Sequence, residues 1–232
     1  MGALIVVPTP VGNLQDITLR AIETLKQATL ILAEDTRTTG FLLKNLGISC
    51  PMQSYHKFNE YARVAQLLDR ISHESCTVLV SDAGTPGISD PGHILIQACI
   101  EAGIKISCLP GPTAFVPAIV MSGFATDRFC FEGFLPHKKG RQTKLLSLKN
   151  EERTIILYES PHRIIKTLEQ ILEFIGNRNI AIVREISKIF EETIRGDVTS
   201  VLEICKKKTL KGEIVLIIEG TQTGNKPKKI SE

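Results

Sequence analysis

Short apolar runs alternate along the first half of the chain with segments whose apolar residues recur every three or four positions. The runs have little polar interruption and cover residues 4–7, 30–33, 77–80 and 106–109. Such runs predict strands that are covered on both faces. Helical spacing lies between them, at Leu19 to Leu25, Phe41 to Leu46 and Val64 to Ile71. The pattern predicts an α/β domain with a mainly parallel sheet.

A second α/β domain is predicted beyond an uncharged segment, residues 109–124, which is typical of a loop followed by a buried helix. The strands predicted after it cover residues 128–134, 154–158, 180–183, 191–195 and 213–218. The helices begin near Gly140 and cover residues 164–174 and 198–205. We therefore predict domains at 1–112 and 113–220, with a flexible basic tail at 221–232.

Composition is that of a folded globular protein. The 232 residues are 43% hydrophobic and 23% charged, and the mean hydropathy is +0.08. No apolar stretch reaches the roughly 18 residues that a membrane span needs. The first residues are typical of a strand rather than a leader, so we expect a cytoplasmic protein without a membrane partner. The six cysteines are scattered singly, without metal-ligand spacing, which favours reduced core cysteines and no metal site.

Three unusual loops each follow a predicted strand. Their sequences are PTPVGNLQD at 8–16, SDAGTPGISDPG at 81–92 and PGPTA at 110–114. Glycine lets a ligand approach the backbone closely, and proline stiffens the loop. Since ligands of open α/β sheets bind at the carboxyl ends of the strands, the three loops predict one small-molecule site.

The charge of these loops favours a cationic ligand. The phosphate-binding fingerprints GxxxxGK[ST] and GxGxxG are absent from the sequence. Carbonyl-rich loops beside Asp82 and Asp90 suit positive charge, and the sulfonium and ammonium groups of S-adenosylmethionine fit that description. Each aspartate taken alone is as well explained by the capping of a turn. The three loops together favour the cofactor site.

Two further polar clusters lie where a predicted strand passes into a helix. The first, AEDTRTTG, contains Glu34, Asp35 and Arg37, and the second, YESPHR, contains Glu159, His162 and Arg163. Each cluster also has a purely structural interpretation. Asp35 or Thr36 would cap a helix with Arg37 paired to a carboxylate, and Ser160 would cap the next helix with His162 on the surface.

An ordered series of motifs resembles one known family. The motifs are PTPVGNLQDITLRA, AEDTRTTGFLL, SDAGTPGISDPG, LPGPTA, SGF, FEGFLP, YESPHR, REISK and KGEIVLII, and they extend from Ile5 to about Ile218. The chain is similar in this respect to the ribosomal RNA small subunit methyltransferase I family. Those enzymes have the tetrapyrrole methylase fold of the class III methyltransferases and 2′-O-methylate a decoding-centre cytidine of 16S rRNA.

The resemblance implies a fold, a cofactor and partners. The fold would comprise two α/β domains, the first with a mainly parallel sheet and the second with a mixed sheet, and S-adenosylmethionine would bind between them. A homodimer would act on 16S rRNA within the 30S subunit. Carried over residue by residue, the cofactor contacts would be Pro10, Val11, Asp82, Gly84, Thr85, Ile88, Thr113, Ala114, Leu157, Tyr158 and Gly212.

The chemistry expected is transfer of a methyl group to a ribose 2′-hydroxyl, for which alignment carries much of the acceleration. The hydroxyl proton has to leave, so a carboxylate or imidazole within hydrogen-bond reach would help. The candidates are Glu34, Asp35, Glu159 and His162, while Arg37 and Arg163 would hold the RNA backbone. Neither the spacing nor the resemblance selects one base.

RNA binding is only weakly visible in the net charge of +3 and the pI of about 8.5. Basic residues cluster, however, at Lys138, Lys139, Arg141 and Lys144, at 206–208 and at 226–229. A solvated helix face and a basic tail would explain the same charges. The aromatic residues expected to stack on bases are Tyr55, Phe58 and Tyr61.

Two other functions remain open on the sequence. A methyltransferase of the same fold that acts on a tetrapyrrole or another small molecule would need an apolar trough and no basic cluster. A non-catalytic ribosome-assembly factor would bind RNA irrespective of S-adenosylmethionine, which leaves the three stiff loops unexplained. Asp82→Ala should abolish cofactor binding and leave the fold intact.

Overall fold

The computed structural model describes residues 2–57 and 60–221. The chain divides into two compact units, with the division between Thr113 and Ala114. Each unit is built around its own five-stranded sheet.

The first unit is an open parallel α/β sheet. Its strands are β1 (Ala3–Val6), β2 (Leu30–Ala33), β3 (Met52–Ser54), β4 (Thr77–Val80) and β5 (Lys105–Cys108), in the order β3-β2-β4-β1-β5. All neighbouring strands are parallel. The helices are α1 (Leu19–Gln27), α2 (Thr36–Asn45), α3 (Glu60–His73) and α4 (His93–Glu101), and a short 3-10 helix covers Leu14–Asp16. The predicted parallel α/β architecture is confirmed.

The sheet of the first unit is buried on both faces. All four residues of β2 and all four of β4 are buried, which is why these strands have no polar alternation. Leu4, Leu32 and Leu79 lie in one hydrophobic cluster, and Ile31 and Val78 lie in another. Alternate residues of each strand therefore face opposite layers of helices.

Local capping fixes where the first helices begin and end. The Thr18 hydroxyl accepts the Ala21 amide at 3.0 Å at the start of α1, and the Asp35 carboxylate accepts the Arg37 amide at 2.8 Å at the start of α2. Gly47 follows α2 with φ +65°, the left-handed conformation expected just beyond a helix end.

The second unit has a mixed sheet. It begins with α5 (Phe115–Ser122), and its strands are β6 (Phe129–Phe134), β7 (Thr154–Glu159), β8 (Asn179–Arg184), β9 (Glu192–Asp197) and β10 (Ile214–Ile218). In the order β6-β7-β10-β8-β9, only β6 and β7 are parallel. The helices α6 (Arg141–Ser147), α7 (Ile164–Phe174) and α8 (Val198–Lys207) complete the unit. The predicted mixed sheet is thus confirmed.

Helix α5 is buried on one face only, which corrects the expectation of a buried helix. Ala118 and Ile119 are buried, whereas Val116 and Val120 are 50% and 67% exposed. An apolar composition without a polar stripe therefore does not by itself place a helix inside a core.

The six cysteines are unpaired, but they are not all core residues. Cys99 and Cys205 are buried, and Cys108 at the end of β5 is exposed. Among the residues that the structure describes, no helix is both long and apolar enough to cross a membrane.

Candidate active site

The loops after β1 and β4 are joined directly. The backbones of Thr9 and Gly84 exchange two hydrogen bonds, both of 2.9 Å. The buried Thr9 hydroxyl donates to the Ser81 carbonyl at 3.0 Å. Since β1 and β4 are parallel neighbours, these bonds fix two of the three predicted ligand loops at the carboxyl end of the sheet.

The segment after β5 joins the same cluster. The Thr85 hydroxyl lies 2.6 Å from the Thr113 hydroxyl and 3.2 Å from the Pro112 carbonyl oxygen. Because the carbonyl only accepts, Thr85 donates to Pro112 and Thr113 donates to Thr85. Three loops that are separate in the chain thus converge within the first unit, as the sequence predicts.

The backbone at this junction includes a glycine in the left-handed conformation. Gly84 has φ +80°, and a Cβ there would lie 3.7 Å from Val11 Cγ1 and 3.9 Å from the Pro112 oxygen. Of the cofactor residues expected in the first unit, this geometry brings together Val11, Gly84, Thr85 and Thr113. Pro10 precedes Val11, and the Ile88 amide donates to the Thr85 carbonyl at 3.1 Å in the same loop.

Three carboxylates surround the start of the 81–92 loop. Asp82 Oδ1 accepts the Asp35 amide at 3.1 Å, and Glu34 Oε2 accepts the Asp82 amide at 3.3 Å. Burial raises the pKa of Glu34, although the hydrogen bond from the Asp82 amide opposes part of the increase. Burial also raises the pKa of Asp82, although the hydrogen bond from the Asp35 amide opposes part of the increase. The loop after β2 therefore belongs to the same site as the loop after β4.

Asp35 is chemically different from its two neighbours. The Arg37 guanidinium donates to both of its carboxylate oxygens, with the shortest contact 2.6 Å, and Asp35 also caps α2. Hydrogen bonds from the Arg37 side chain and backbone lower the pKa of Asp35 to about 2. The structure therefore has the contacts of the purely structural interpretation: Asp35 caps α2, and Arg37 pairs with its carboxylate.

In the second unit, Glu159 is enclosed by donors. Its side chain is 1% exposed and accepts Ser160 N at 2.7 Å, Arg163 Nε at 2.7 Å and the Thr167 hydroxyl at 2.6 Å. Arg141 approaches the other side at 3.5 Å. A carboxylate with this set of donors has no open side for a substrate proton, which argues against Glu159 as the base.

The remaining residues of YESPHR differ in their exposure. Arg163 forms an ion pair with Glu159 at 2.6 Å and donates to His137 Nδ1 at 2.9 Å. His162 is exposed, and its backbone amide lies 3.3 Å from the Ser160 hydroxyl. Its exposure agrees with the interpretation of His162 as a surface histidine and also leaves the residue accessible as a proton acceptor.

The four cofactor residues expected in the second unit occupy dissimilar places. Leu157 is fully buried, and its strand pairs on both sides with β6 and β10. Tyr158 packs its ring 5.1 Å from that of Phe131. Gly212 has φ +83°, and the Glu185 side chain occupies the space of a Cβ. Ala114 immediately precedes α5.

Comparison with known proteins assigns the chain. The family model of the tetrapyrrole (corrin/porphyrin) methylases matches residues 3–202. A curated relative from Synechocystis, named ribosomal RNA small subunit methyltransferase I, is 48% identical over 229 residues, which are 98% of this chain and 82% of the relative. The chain belongs to the ribosomal RNA small subunit methyltransferase I family. It is therefore a methyltransferase.

Other members of the family are equally similar. Relatives with the same name from Thermotoga maritima and Haemophilus influenzae are 45% and 47% identical. The first alignment covers 96% of this chain and 100% of the relative, and the second covers 99% and 83%.

Solved structures show that the family has the tetrapyrrole methylase fold. The methyltransferase CobJ matches with a TM-score of 0.71 at 19% identity, over 97% of this chain and 98% of CobJ. Uroporphyrin-III C-methyltransferase from Thermus thermophilus, solved in complex with S-adenosylhomocysteine, matches with a TM-score of 0.67 at 18% identity, over 94% and 97% of the two chains.

Several of the expected RNA contacts of this family member are placed elsewhere by the structure. Tyr55 is fully buried in the core of the first unit, so the prediction that its ring stacks on an RNA base is wrong. Tyr61 is 79% exposed. Arg141 is 6% exposed, and Lys144 pairs with Glu132 at 2.5 Å. Phe58, Lys226 to Lys229 and the predicted tail at 222–232 lie outside the described residues.

The sequence offered no sign of the network around Glu159. Arg141, Thr167 and Gln170 contribute to it from α6 and α7, and only Arg163 is adjacent to Glu159 in a recognisable motif. Arg141, one of the basic residues that follow FLPH, was therefore expected on the surface. It is instead buried and forms an ion pair with Glu159.

Proposed function

We propose that this enzyme transfers the methyl group of S-adenosylmethionine to the 2′-hydroxyl of a decoding-centre cytidine in 16S rRNA. The observation that carries the proposal is the 44–48% identity, over at least 94% of the chain, with relatives named for small-subunit ribosomal RNA methylation. The converging loops of the first unit support the cofactor, and the exposed basic residues of the second unit support the RNA substrate.

The donor set of the first unit fits S-adenosylmethionine. Glu34 and Asp82 offer carboxylate oxygens to a cationic group, and their raised pKa values are the expected sign of carboxylates that would gain from a positive partner. Gly84 leaves the backbone open to close approach beside Val11. Pro10, Ile88, Thr85 and Thr113 would complete the wall that holds the cofactor.

The bound cofactor would supply a methyl group on a sulfonium, so that a carbon–oxygen bond forms at the ribose as the carbon–sulfur bond breaks. The chain's own residues have to align the 2′-hydroxyl and accept its proton. Glu34 suits the second task better than Asp35, because its pKa is raised by burial whereas that of Asp35 is held at about 2 by Arg37. His162 remains the alternative acceptor.

The assembled 30S subunit is the proposed substrate, and a homodimer in the cytoplasm is the proposed acting form. A decoding-centre nucleotide acquires its folded surroundings only as the subunit assembles, which favours the particle over free RNA. The dimer and the location are supported by the resemblance of the motif series to the family.

The test is transfer of labelled methyl from S-adenosylmethionine to 30S subunits taken from a strain that lacks the modification. Naked 16S rRNA is the parallel substrate, and nucleosides are separated afterwards to locate the label. Label on a cytidine 2′-oxygen supports the proposal, and preference for 30S over naked RNA supports the particle as substrate. Label on a base, or no label although S-adenosylmethionine binds, would overturn the proposed substrate.

A further inference from the structure

Two lysines project from a short loop between β6 and α6 in the second unit. This basic loop, residues 136–140, carries His137, Lys138 and Lys139, all exposed. Within the described part of the chain, neither Lys138 nor Lys139 has a carboxylate partner. Both charges therefore face solvent without neutralisation.

The basic loop is held at its first two residues by arginine side chains. Arg141 Nη1 donates to the Pro136 carbonyl at 3.2 Å, and Arg163 Nη1 donates to His137 Nδ1 at 2.9 Å. An arginine only donates, so His137 carries its ring proton on Nε2 in this arrangement. Gly140 has φ +81°, which turns the chain into α6.

The two arginines that hold the loop are themselves fixed by one buried carboxylate. Glu159 accepts Arg163 Nε at 2.7 Å and lies 3.5 Å from Arg141 Nη2. Arg141 is further bound to the Gln170 side chain at 2.7 Å and to the Thr167 hydroxyl at 2.6 Å. Two guanidinium groups share one carboxylate and are further satisfied by neutral acceptors, and such a network restricts the geometry of whatever it supports.

The network and the loop together are positively charged. The buried Glu159 carboxylate is shared by Arg141 and Arg163, and Lys138 and Lys139 add exposed positive charges. Lys166, one helical turn beyond Arg163 and also exposed, adds a third cation on the same side of α7. Lys144, by contrast, is neutralised by Glu132.

We propose that the basic loop binds backbone phosphates of the RNA substrate through Lys138 and Lys139, and that Glu159 is a positioning residue that acts through Arg141 and Arg163. The inference rests on the proposed function, because it names the surface through which that substrate is bound. Phosphate contacts of this kind orient an RNA without reading its sequence. An acidic protein of the ribosome is the other possible partner for the loop, and the test separates the two.

The experiment compares Lys138→Ala/Lys139→Ala with the matched control Lys44→Ala/Lys105→Ala, which removes the same charge from exposed lysines of the first unit. Methyl transfer is measured against 30S concentration, and binding to naked 16S rRNA is measured at several salt concentrations. S-adenosylmethionine binding by calorimetry serves as the check on folding.

The loop variant should raise KM for 30S about 5- to 10-fold and lower the salt slope of RNA binding by about 0.7 for each lysine, with kcat and cofactor affinity unchanged. The control should match wild type. A loop variant with wild-type KM and salt slope overturns the inference. An increased KM for 30S with unchanged binding to naked RNA overturns it in favour of a protein contact.

Glu159→Gln tests the positioning role, because it keeps the shape of the side chain and removes the charge that fixes both arginines. Where it folds, KM and salt slope should change as in the loop variant, with kcat retained. A loss of kcat at saturating 30S would show a catalytic role instead. Should this variant fail to fold, Arg163→Lys gives the same comparison while keeping the charge. If wild type itself does not label 30S, the proposed function fails, whereas the RNA-binding comparison still decides the basic loop.

Discussion

The Asp82 carboxylate accepts the backbone amide of Asp35 at 3.1 Å, so the loop after β4 is bound to the start of α2. The Asp82 amide returns a hydrogen bond to Glu34 at 3.3 Å. Two neighbouring strands thus end in one shared set of acidic groups, which is the arrangement that a cationic ligand needs at the edge of a parallel sheet.

Removal of the Asp82 charge should weaken cofactor binding more than it weakens the fold. Asp82→Asn keeps an oxygen for the Asp35 amide, and Asp82→Ala removes both charge and acceptor. We expect each to lower the affinity for S-adenosylmethionine by about 1.5–3 kcal/mol, the range of a hydrogen bond to a charged group. Calorimetry measures the affinity, and Asp69→Asn, at an exposed position of α3, is the control. Wild-type affinity of Asp82→Asn for S-adenosylmethionine would contradict a role for the Asp82 charge in binding.

The pH dependence of stability should reveal the environment of Glu34. Burial raises its pKa above the ordinary 4.5, so folding favours the protonated form. This contribution to the free energy of unfolding is present below the unfolded pKa and is lost as pH rises through the folded pKa. Relative to Glu34→Gln, wild type should therefore be most stable near about pH 4 and lose that advantage toward about pH 7.

Urea unfolding of both proteins at a series of pH values checks this prediction. A difference between them that does not vary with pH would mean that folding leaves the pKa of Glu34 unchanged. The methyl-transfer rate should rise with pH over the same interval, since only the ionised carboxylate accepts the hydroxyl proton.

Gly84→Ala should impair the cofactor site beyond its effect on stability. Gly84 and Gly47 both have left-handed φ, +80° and +65°, so alanine at either position costs about 1 kcal/mol of unfolding free energy. A Cβ at position 84 would enter the space beside Val11 and Pro112, whereas nothing lies within 4 Å at position 47. Only Gly84→Ala should weaken S-adenosylmethionine binding. Equal affinities for the two variants would place the cofactor away from this junction.

Thr167→Val should destabilise the second unit. The Thr167 hydroxyl donates to Glu159 at 2.6 Å and accepts from Arg141 at 2.6 Å, and valine has the same shape without the hydroxyl. Removing the hydroxyl deprives buried Glu159 of one donor and buried Arg141 of one acceptor, which should cost about 1–3 kcal/mol. Thr199→Val, at an exposed position of α8, should stay within about 0.5 kcal/mol of wild type. Chemical denaturation compares the two, and equal stabilities would show that the network tolerates the loss.

Strands with continuous apolar runs were predictable, because burial on both faces leaves no polar position to obscure them. The edge strand β3 was not, since it has only three residues and Met52 is exposed. Helix α4 was also missed. Its apolar residues in HILIQACIE are too dense to show a helical period, and it follows a glycine-rich loop without a side-chain cap.

Some features of the candidate site were likewise predictable from the sequence, and others were not. Convergence of the three loops followed from strand direction, so it could be inferred without coordinates. The enclosure of Glu159 could not be inferred from the sequence. Its partners Arg141 and Thr167 lie on α6 and α7, and they meet Glu159 only after these helices pack. A carboxylate in a motif looks the same in sequence whether it is open to a substrate or enclosed by arginines.

The position of β1 has a consequence for synthesis of the chain on the ribosome. Residues 3–6 are made well before both of their neighbours in the sheet, because β4 begins only at Thr77 and β5 ends at Cys108. At about 5–20 residues per second, the nascent first strand waits several seconds for its partners. The first sheet can close only when nearly all of its unit has left the exit tunnel, and until then its earliest apolar segment is an exposed target for chaperones.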